Sequence, residues 1–333
     1  MSEISRRDPS IDIAKILCAI FVISIHTRPL SGLSELADFV LCDIIFRVAV
    51  PFFAVCTGYY LTRRMDSKRS GNRWLMVKSM AFRVFLLYVL WSVFYLIVLS
   101  VSWYKAGILE LSSYIGWFKS FMIGSSYYHL WYLAQLFWAL FPFHLIVKFI
   151  NPKWHTLLAS SLWLLGVFVY VYSDVLGIGQ SFVQEYNRFG ALTGMIGRML
   201  PLLLAGTILV RRPVRNNNTS VIMSLLFLGC LSIEVFVLKD KGTSCFSYVL
   251  STLPLAFFLF DALKKIAFNP RIDTKNISKA SMNIYFLHPA IVLLLTSLGI
   301  ESHYILFISA TVITICLCIA LQFLFNGPRK VSC

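Results

Sequence analysis

Three histidines of this sequence lie in long apolar segments, where an imidazole has few polar partners. His26 ends the run "FVISIHTRPL", His129 lies among aromatic residues in "YYHLWYL", and His288 precedes a proline in "NIYFLHPAI". A neutral imidazole accepts a proton from a hydroxyl group or hydrogen-bonds a small polar ligand. The sequence allows the three rings to converge in one outward-facing polar cavity, and it equally allows each to be an interfacial residue.

Charged side chains also occur in these segments, where burying a charge is costly unless it has a partner or a function. Asp43 and Arg47 are four residues apart, so one helix face would carry both, as an ion pair. Arg198 falls near the middle of an apolar run, and Glu234 is the nearest acidic residue by depth. We leave open whether these two form a structural pair or bind a ligand. Arg28 would form the rim of a cavity around His26.

The composition indicates what kind of structural element carries these residues. Of the 333 residues, 58% are hydrophobic and only 14% are charged, with a mean hydropathy of +0.76, whereas soluble chains carry about 25% charged residues. Apolar runs close to the spanning length of about 20 residues recur along the whole chain. We predict an all-α, polytopic membrane protein with a single transmembrane domain over residues 1–333. The cysteines are scattered without zinc-binding spacing, so we expect no metal site.

The apolar runs predict about ten transmembrane helices, with polar and basic connections between them. The segment "ELSSYIGWFKSFMIGSS", between the third and fourth helices, is too short and polar to span and is predicted to be interfacial or re-entrant. The predicted helices are about 11–28, 43–62, 74–102, 128–149, 154–173, 190–210, 219–238, 244–263, 279–298 and 303–325.

The distribution of lysine and arginine predicts the orientation of these helices. With the N-terminus in the cytoplasm, 22 of the 30 basic residues fall on the inner side and eight on the outer side. We therefore expect both termini to be cytoplasmic and the first helix to be an uncleaved signal anchor. Basic inner loops facing anionic lipids explain the formal charge of +15, and no motif indicates a nucleic-acid partner.

Four stretches resemble the acyltransferase-3 membrane family over essentially the whole chain: "IDIAKILCAIFVISIH", "RVAVPFFAVCTGYYL", "YHLWYLAQLFWALF" and "ASMNIYFLHPAIV". The stretches "IHTRPL", "LLAGTILVRRP" and "CLSIEVFVL" are similar to the membrane half of VanT-type serine racemases of vancomycin resistance. An acyltransferase-3-like helix bundle is the fold that this resemblance implies.

The resemblance implies two different functions. In O-acyltransferases of the family, the histidine at the position of His26 is the base that transfers an acyl group from cytoplasmic acyl-CoA to an extracytoplasmic envelope acceptor. Cytoplasmic cations would then hold the acyl-CoA, and the matching candidates are Arg63, Arg64, Lys78 and Arg83. In VanT-type proteins the membrane half is associated with L-serine uptake. It supplies a fused cytoplasmic racemase, which carries pyridoxal phosphate.

We predict a VanT-type membrane domain in a Gram-positive bacterial cytoplasmic membrane. It would bind and import L-serine for D-serine synthesis in vancomycin resistance, with the lipid bilayer and a racemase domain as its partners. An O-acyltransferase with acyl-CoA as donor is the alternative, and a membrane anchor for an attached enzyme is a third. We expect no racemase domain or cofactor within these 333 residues, and the oligomeric state stays open. The candidate substrate-binding residues are His26, Arg28, Arg47, His129, Arg198, Glu234 and His288.

Overall fold

The computed structural model describes residues 8–67, 72–177, 190–214, 216–243, 246–266 and 274–326. Every regular element in these ranges is a helix, which confirms the predicted all-α class. Joining contiguous turns gives α1 (Pro9–Thr27), α2 (Glu35–Met65), α3 (Arg73–Lys105), α4 (Leu111–Ile123), α5 (Trp131–Phe149), α6 (Pro152–Tyr172), α7 (Ala191–Arg211), α8 (Asn217–Asp240), α9 (Thr252–Lys264), α10 (Thr274–Ser297) and α11 (His303–Asn326).

Within the described ranges, nine helices are long and apolar enough to cross a membrane, namely all except α4 and α9. The protein is therefore a multi-pass membrane protein. One helix differs from the sequence-based prediction. The eighth predicted helix, about 244–263, corresponds to α9, which has only 13 residues. At 1.5 Å per residue α9 is about 20 Å long, less than a bilayer core of about 30 Å. Pro254 lies in the first turn of α9, where proline favours a helix start.

The segment between α3 and α5 forms the short helix α4, and none of its residues is buried. It ends at Gly124, whose φ of 107° lies in the left-handed region that favours glycine. The Tyr88 hydroxyl of α3 donates to the Phe121 carbonyl at 2.9 Å and fixes α4 against α3. A short exposed helix of this kind agrees with the predicted non-spanning segment.

The chain divides into two compact units, and unit 1 comprises Met1–Phe53 and Leu259–Cys333. In unit 1, α1 packs against α10 and α11, and α10 packs against α11. This packing brings the end of α1, with His26, alongside the part of α10 that carries His288. The buried side chains that form this interface are Ala19, Ile23, Ile284, Ile291, Leu295, Leu306, Ala310 and Cys318.

Unit 2 comprises Ala54–Phe258, and close helix approaches at glycine hold it together. A Cβ atom on Gly58 of α2 would lie 2.1 Å from the Leu203 carbonyl oxygen of α7. A Cβ atom on Gly166 of α6 would lie 2.1 Å from the Gly197 carbonyl oxygen of α7. Only glycine permits backbones to approach this closely, a packing mode common in membrane helices. Helix α7 is thus fixed against α2 and α6.

Three of the spanning helices contain a π-helical segment, which is rare and often found at functional sites. Each of these segments carries a polar residue with an unusual environment: Asp43 in α2, Tyr170 in α6 and Arg198 in α7. The segments are Val40–Ile45, Phe168–Tyr172 and Met195–Met199.

Candidate functional site

Two arginines and two aspartates form a cluster just after α1 in unit 1, and we call Arg28, Asp38, Asp43 and Arg47 the Arg–Asp cluster. Arg28 ends α1 with a φ of 52°, and no other non-glycine residue in the described ranges has a positive φ. Its guanidinium donates to the Asp43 carboxylate and, at 3.3 Å, to Asp38 Oδ2. The chain turn after α1 therefore fixes the direction of the Arg28 side chain.

Asp43 is the centre of the Arg–Asp cluster. Its carboxylate, only 4% exposed, also accepts a hydrogen bond from Arg47 Nη2 at 2.6 Å. This confirms the ion pair that the four-residue spacing predicted. Burial alone would lower the pKa of Arg28, but its hydrogen bond with Asp43 and the charge of that carboxylate raise the pKa, and the net shift is upward. Arg28 therefore stays cationic, and the cluster as a whole is electrically neutral.

His26 and His288 form a stacked pair in unit 1, with ring centroids 5.4 Å apart and an interplanar angle of 25°. His288 is fully buried, and its Nδ1 lies 3.0 Å from the Ile284 carbonyl oxygen. A neutral ring with its proton on Nδ1 donates this hydrogen bond. His26, in contrast, is exposed. The pair therefore presents one accessible imidazole supported by one buried imidazole.

A third histidine of unit 1, His303, was not among the sequence-based candidates. Its Nδ1 lies 2.9 Å from the carbonyl oxygen of Thr27, the last residue of α1. The ring thus ties the start of α11 to the helix end that carries His26. No signal in the sequence singles out His303, because a histidine in the short connection "ESH" is unremarkable at an interface.

His129 belongs to unit 2, where it is 3% exposed within an aromatic cluster. Its ring meets Tyr95, Tyr127 and Tyr128 edge-on, at centroid distances of 4.9, 5.6 and 5.4 Å. Burial raises the pKa of Tyr127 and of Tyr128, so both hydroxyls stay neutral. The interfacial aromatic interpretation therefore fits His129. Of the three histidines predicted to converge, His26 and His288 lie together in unit 1. That His129 joins them stays a prediction.

In the described part of unit 2, the neighbours of Arg198 are aromatic rings and an amide, and none of them is a carboxylate. Its guanidinium carbon is 4.1 Å from the ring centroid of Tyr170, 5.1 Å from that of Tyr248 and 5.5 Å from that of Trp131. With the amide of Gln135 oriented to satisfy both of its groups, Arg198 Nη2 donates to the Gln135 oxygen at 3.1 Å. Faces of aromatic rings attract cations, so the rings favour the charged guanidinium.

Glu234 does not pair with Arg198, because its carboxylate is used by other donors of unit 2. Oε1 accepts from the Tyr172 hydroxyl and from the Leu250 amide, each at 2.6 Å, and Oε2 accepts from the Ser251 amide at 2.9 Å. These two amides directly precede α9, where a helix leaves backbone donors without internal partners. Glu234 thus joins α6, α8 and the start of α9, which is a structural role.

The candidate acyl-CoA cations lie in the part of α2 that belongs to unit 2 and in α3. Arg63 is half-buried and Arg64 is exposed at the end of α2. In α3, Lys78 lies over the Trp74 ring at 5.6 Å, and the exposed Arg83 donates to Ser79 at 3.3 Å. Arg64, Lys78 and Arg83 form no ion pair within the described chain, so their charges are available to an anion.

Other arginines at the same ends of α2, α3 and α7 are committed to structure. Asp66 accepts two hydrogen bonds from Arg211, at 3.0 and 3.2 Å, and pairs with Arg73 at 3.4 Å. These pairs join the ends of three helices of unit 2. The described residues contain no cluster of ligands that could hold a metal ion.

The described residues thus form an all-helical, multi-pass membrane protein with an accessible histidine at the end of its first helix. Residues 8–323 match the acyltransferase-3 family, described as an acyltransferase domain. The chain belongs to this family, as its sequence motifs indicated.

The relatives that match the chain are named as racemases. Two amino-acid racemases of Enterococcus faecalis are 25% and 24% identical to it, over 98% and 97% of this chain but only 47% and 46% of their own lengths. The serine/alanine racemase of Enterococcus gallinarum is 25% identical over 85% of this chain and 40% of its own length. The chain spans about half the length of the curated relatives it matches. No solved structure matches it.

Proposed function

We propose that this membrane domain binds L-serine and carries it across the bacterial cytoplasmic membrane to a racemase. The observation that carries the proposal is the coverage of the relatives, because proteins named as amino-acid racemases share nearly this whole chain and contain about as much sequence again. A membrane domain of this size is more than an anchor requires. Transport of the amino acid to the racemase would give the membrane domain a function.

The accessible groups at the end of α1 suit a small hydroxy amino acid. The exposed imidazole of His26 would hydrogen-bond the serine hydroxyl. The guanidinium of Arg28 would bind the serine carboxylate, since its side chain is 37% exposed and two buried aspartates hold it in place. Both residues lie at one helix end, two positions apart in the chain.

In this proposal the domain works with a cytoplasmic racemase, attached or separate, which holds the pyridoxal phosphate and makes D-serine. The serine product would serve cell-wall synthesis in vancomycin-resistant Gram-positive bacteria. This arrangement needs the orientation predicted from the sequence, with both termini inside, which places the end of α11 on the cytoplasmic side. That orientation requires an even number of crossings, so the segment that contains α9 would have to cross in addition to the nine long helices.

The test is counterflow of labelled L-serine in proteoliposomes. We expect saturable counterflow in the wild type, its loss in His26→Ala, and its retention in Arg83→Gln, which changes an exposed cation of α3. D-lactate, which lacks the ammonium group and has a different hydroxyl position, should compete poorly. Absence of counterflow in folded wild-type protein would contradict the proposal.

The second candidate is an O-acyltransferase, favoured by the family and by the accessible imidazole of His26. As a base, His26 would remove the proton of an acceptor hydroxyl, whose oxygen attacks the thioester carbonyl of acyl-CoA. An ester bond forms, the thioester bond breaks, and the CoA thiolate leaves and takes up the proton. Arg64, Lys78 and Arg83 would bind the CoA phosphates.

The two candidates differ in their dependence on the cations of α2 and α3. Binding of acetyl-CoA to the purified protein, measured by calorimetry, should be absent if the domain carries serine. Saturable binding that is lost in Arg64→Ala or Arg83→Ala, without serine counterflow, would replace the proposal with the acyltransferase. Absence of both activities would favour a membrane anchor.

A further inference from the structure

We infer that Arg198 is the cationic centre of a binding site for a monocarboxylate in unit 2. The site is made of residues that the proposed serine function does not use, so the inference goes beyond that function. It rests on the combination of a guanidinium within a membrane span, the neutral groups that surround it, and a buried donor that has no acceptor.

The first observation is that the charge of Arg198 has no counter-charge in the described part of the chain. Its neighbours are three aromatic rings and one amide. Glu234, the nearest acid by depth in the sequence, is used by the Tyr172 hydroxyl and two backbone amides. A charged residue in a span almost always pairs with a charge, a backbone group or a ligand.

The second observation is that the neutral neighbours hold the Arg198 guanidinium in one orientation. Gln135, itself 3% exposed, accepts from Nη2 and donates to the Gly194 carbonyl at 3.2 Å. A Cβ atom on Gly194 would lie 2.1 Å from the Gln135 amide atom that is the oxygen in this orientation, and 2.8 Å from Arg198 Nη2. Glycine at position 194 is therefore required for this arrangement. The π-helical segment of α7 sets the direction in which Arg198 leaves the helix.

The third observation is an unused donor. Arg198 Nε is buried, and the residues that the structure describes give it no hydrogen-bond acceptor, although a buried N–H group without a partner is rare. The neighbouring aromatic rings attract the cation through their faces and offer no lone pair to its N–H groups. A carboxylate binds a guanidinium with two parallel hydrogen bonds. The Nε–H group of Arg198 thus lacks an acceptor in the described part of the chain, and a bound carboxylate would supply one.

The charge of the site selects a monocarboxylate. Within the described ranges, the neighbours of Arg198 are the neutral residues Trp131, Gln135, Tyr170 and Tyr248, so the site has a single positive charge. A single positive charge balances one carboxylate, whereas a phosphate dianion or a diphosphate would bring an uncompensated negative charge into a span. The surrounding rings suit a ligand with a small apolar body.

The test uses the full chain in lipid nanodiscs, with 3,3,3-trifluoropropionate as the probe and 19F line broadening as the readout. We expect saturable broadening beyond that of empty nanodiscs. Arg198→Met should weaken binding by at least about tenfold, the loss expected for a charge-assisted pair. The matched variant Arg212→Met, which changes an exposed arginine just after α7, should bind like the wild type.

The melting temperature without the probe gives a second measurement. Because no anion in the described ranges pairs with Arg198, Arg198→Met should melt at the wild-type temperature or above it. A decrease of more than about 10 °C would show a structural role instead and would overturn the inference. Absence of saturable broadening in the wild type, or unchanged binding in Arg198→Met, would also overturn it. Equal competition by inorganic phosphate would refute the carboxylate assignment.

Discussion

Replacing Glu234 tests whether one carboxylate organises the start of α9. The carboxylate accepts three hydrogen bonds, from the Tyr172 hydroxyl and the amides of Leu250 and Ser251. A net contribution of about 1 kcal/mol per hydrogen bond is usual, and ionised partners roughly double it. Because Glu234 is only half-buried, water replaces part of this interaction. We therefore expect Glu234→Ala to lower the free energy of unfolding by about 3 kcal/mol.

The assay combines unfolding by added denaturing detergent with hydrogen–deuterium exchange of the two amides. In Glu234→Ala the amides of Leu250 and Ser251 should exchange much faster, while the core of α5 stays protected. Tyr172→Phe removes one of the three hydrogen bonds and should cost about 1 kcal/mol.

A matched control is Glu110→Ala, because Glu110 is exposed and accepts one hydrogen bond from Ser112 at 3.1 Å. It should change stability by less than about 0.5 kcal/mol. Unchanged exchange at Leu250 and Ser251 in Glu234→Ala would refute the reasoning, since these amides would then not depend on the carboxylate.

Other predictions concern helix packing, the Arg–Asp cluster and topology. Gly58→Val should prevent folding, because a Cβ atom there meets backbone at 2.1 Å, whereas Gly229→Ala, with nothing within 4 Å, should fold and melt normally in a thermal scan. Asp43→Asn should cost about 2 kcal/mol in a detergent unfolding titration, because both arginines lose their shared, buried partner while keeping some contact with water. In a cysteine-free background, a cysteine at Gly107 should react with an impermeant reagent in intact cells, and one at Arg69 should not.

Each of these outcomes has a contrary result. Normal folding of Gly58→Val would show that the close approach of α2 and α7 is not required. Equal stability of Asp43→Asn and the wild type would show that water fully replaces the interactions of Arg28 and Arg47 with the Asp43 carboxylate. Labelling at Arg69, which lies outside the described residues, would reverse the predicted orientation.

A double-mutant cycle also follows from the corrected partners of Glu234. Arg198 and Glu234 have separate contacts in unit 2, so their substitutions should add within about 0.5 kcal/mol. Unfolding titrations of Arg198→Met, Glu234→Ala and the double variant measure this. A double variant markedly more stable than the sum of the single effects would restore the direct pairing that depth in the sequence suggested.

Local features were predictable from the sequence because they depend on spacing along one helix. The apolar runs predicted ten spans, nine of which correspond to helices long and apolar enough to cross a membrane. The interval of four residues predicted the Asp43–Arg47 pair. The predicted helix was longer than α9, because several residues before α9 are apolar. Hydropathy carries no information about the Glu234 carboxylate, which binds the amides just before α9. Periodicity and composition therefore gave the helices but not this helix end.

Partners across helices were not predictable in the same way. Depth in the membrane made Glu234 the nearest acid to Arg198, but depth does not tell which side of a helix a residue occupies. The interaction of Arg28 with Asp38 and Asp43 depends on one left-handed residue after α1, and nothing in "HTRPL" marks Arg28 as that residue. His26 and His288 stack because α1 and α10 pack together, which only the tertiary structure shows.

The π-helical segments have a consequence for comparing members of this family. A π turn accommodates one more residue than an α-helix of similar rise, so it is where an insertion or deletion can occur without breaking a span. Relatives that lack the extra residue should align with a one-residue gap within 40–45, 168–172 or 195–199. Alignments that forbid gaps inside membrane helices would shift all later residues of that helix by about 100°. At about 25% identity, such a shift would match Arg198 to a position on the wrong face and conceal whether the relatives share it.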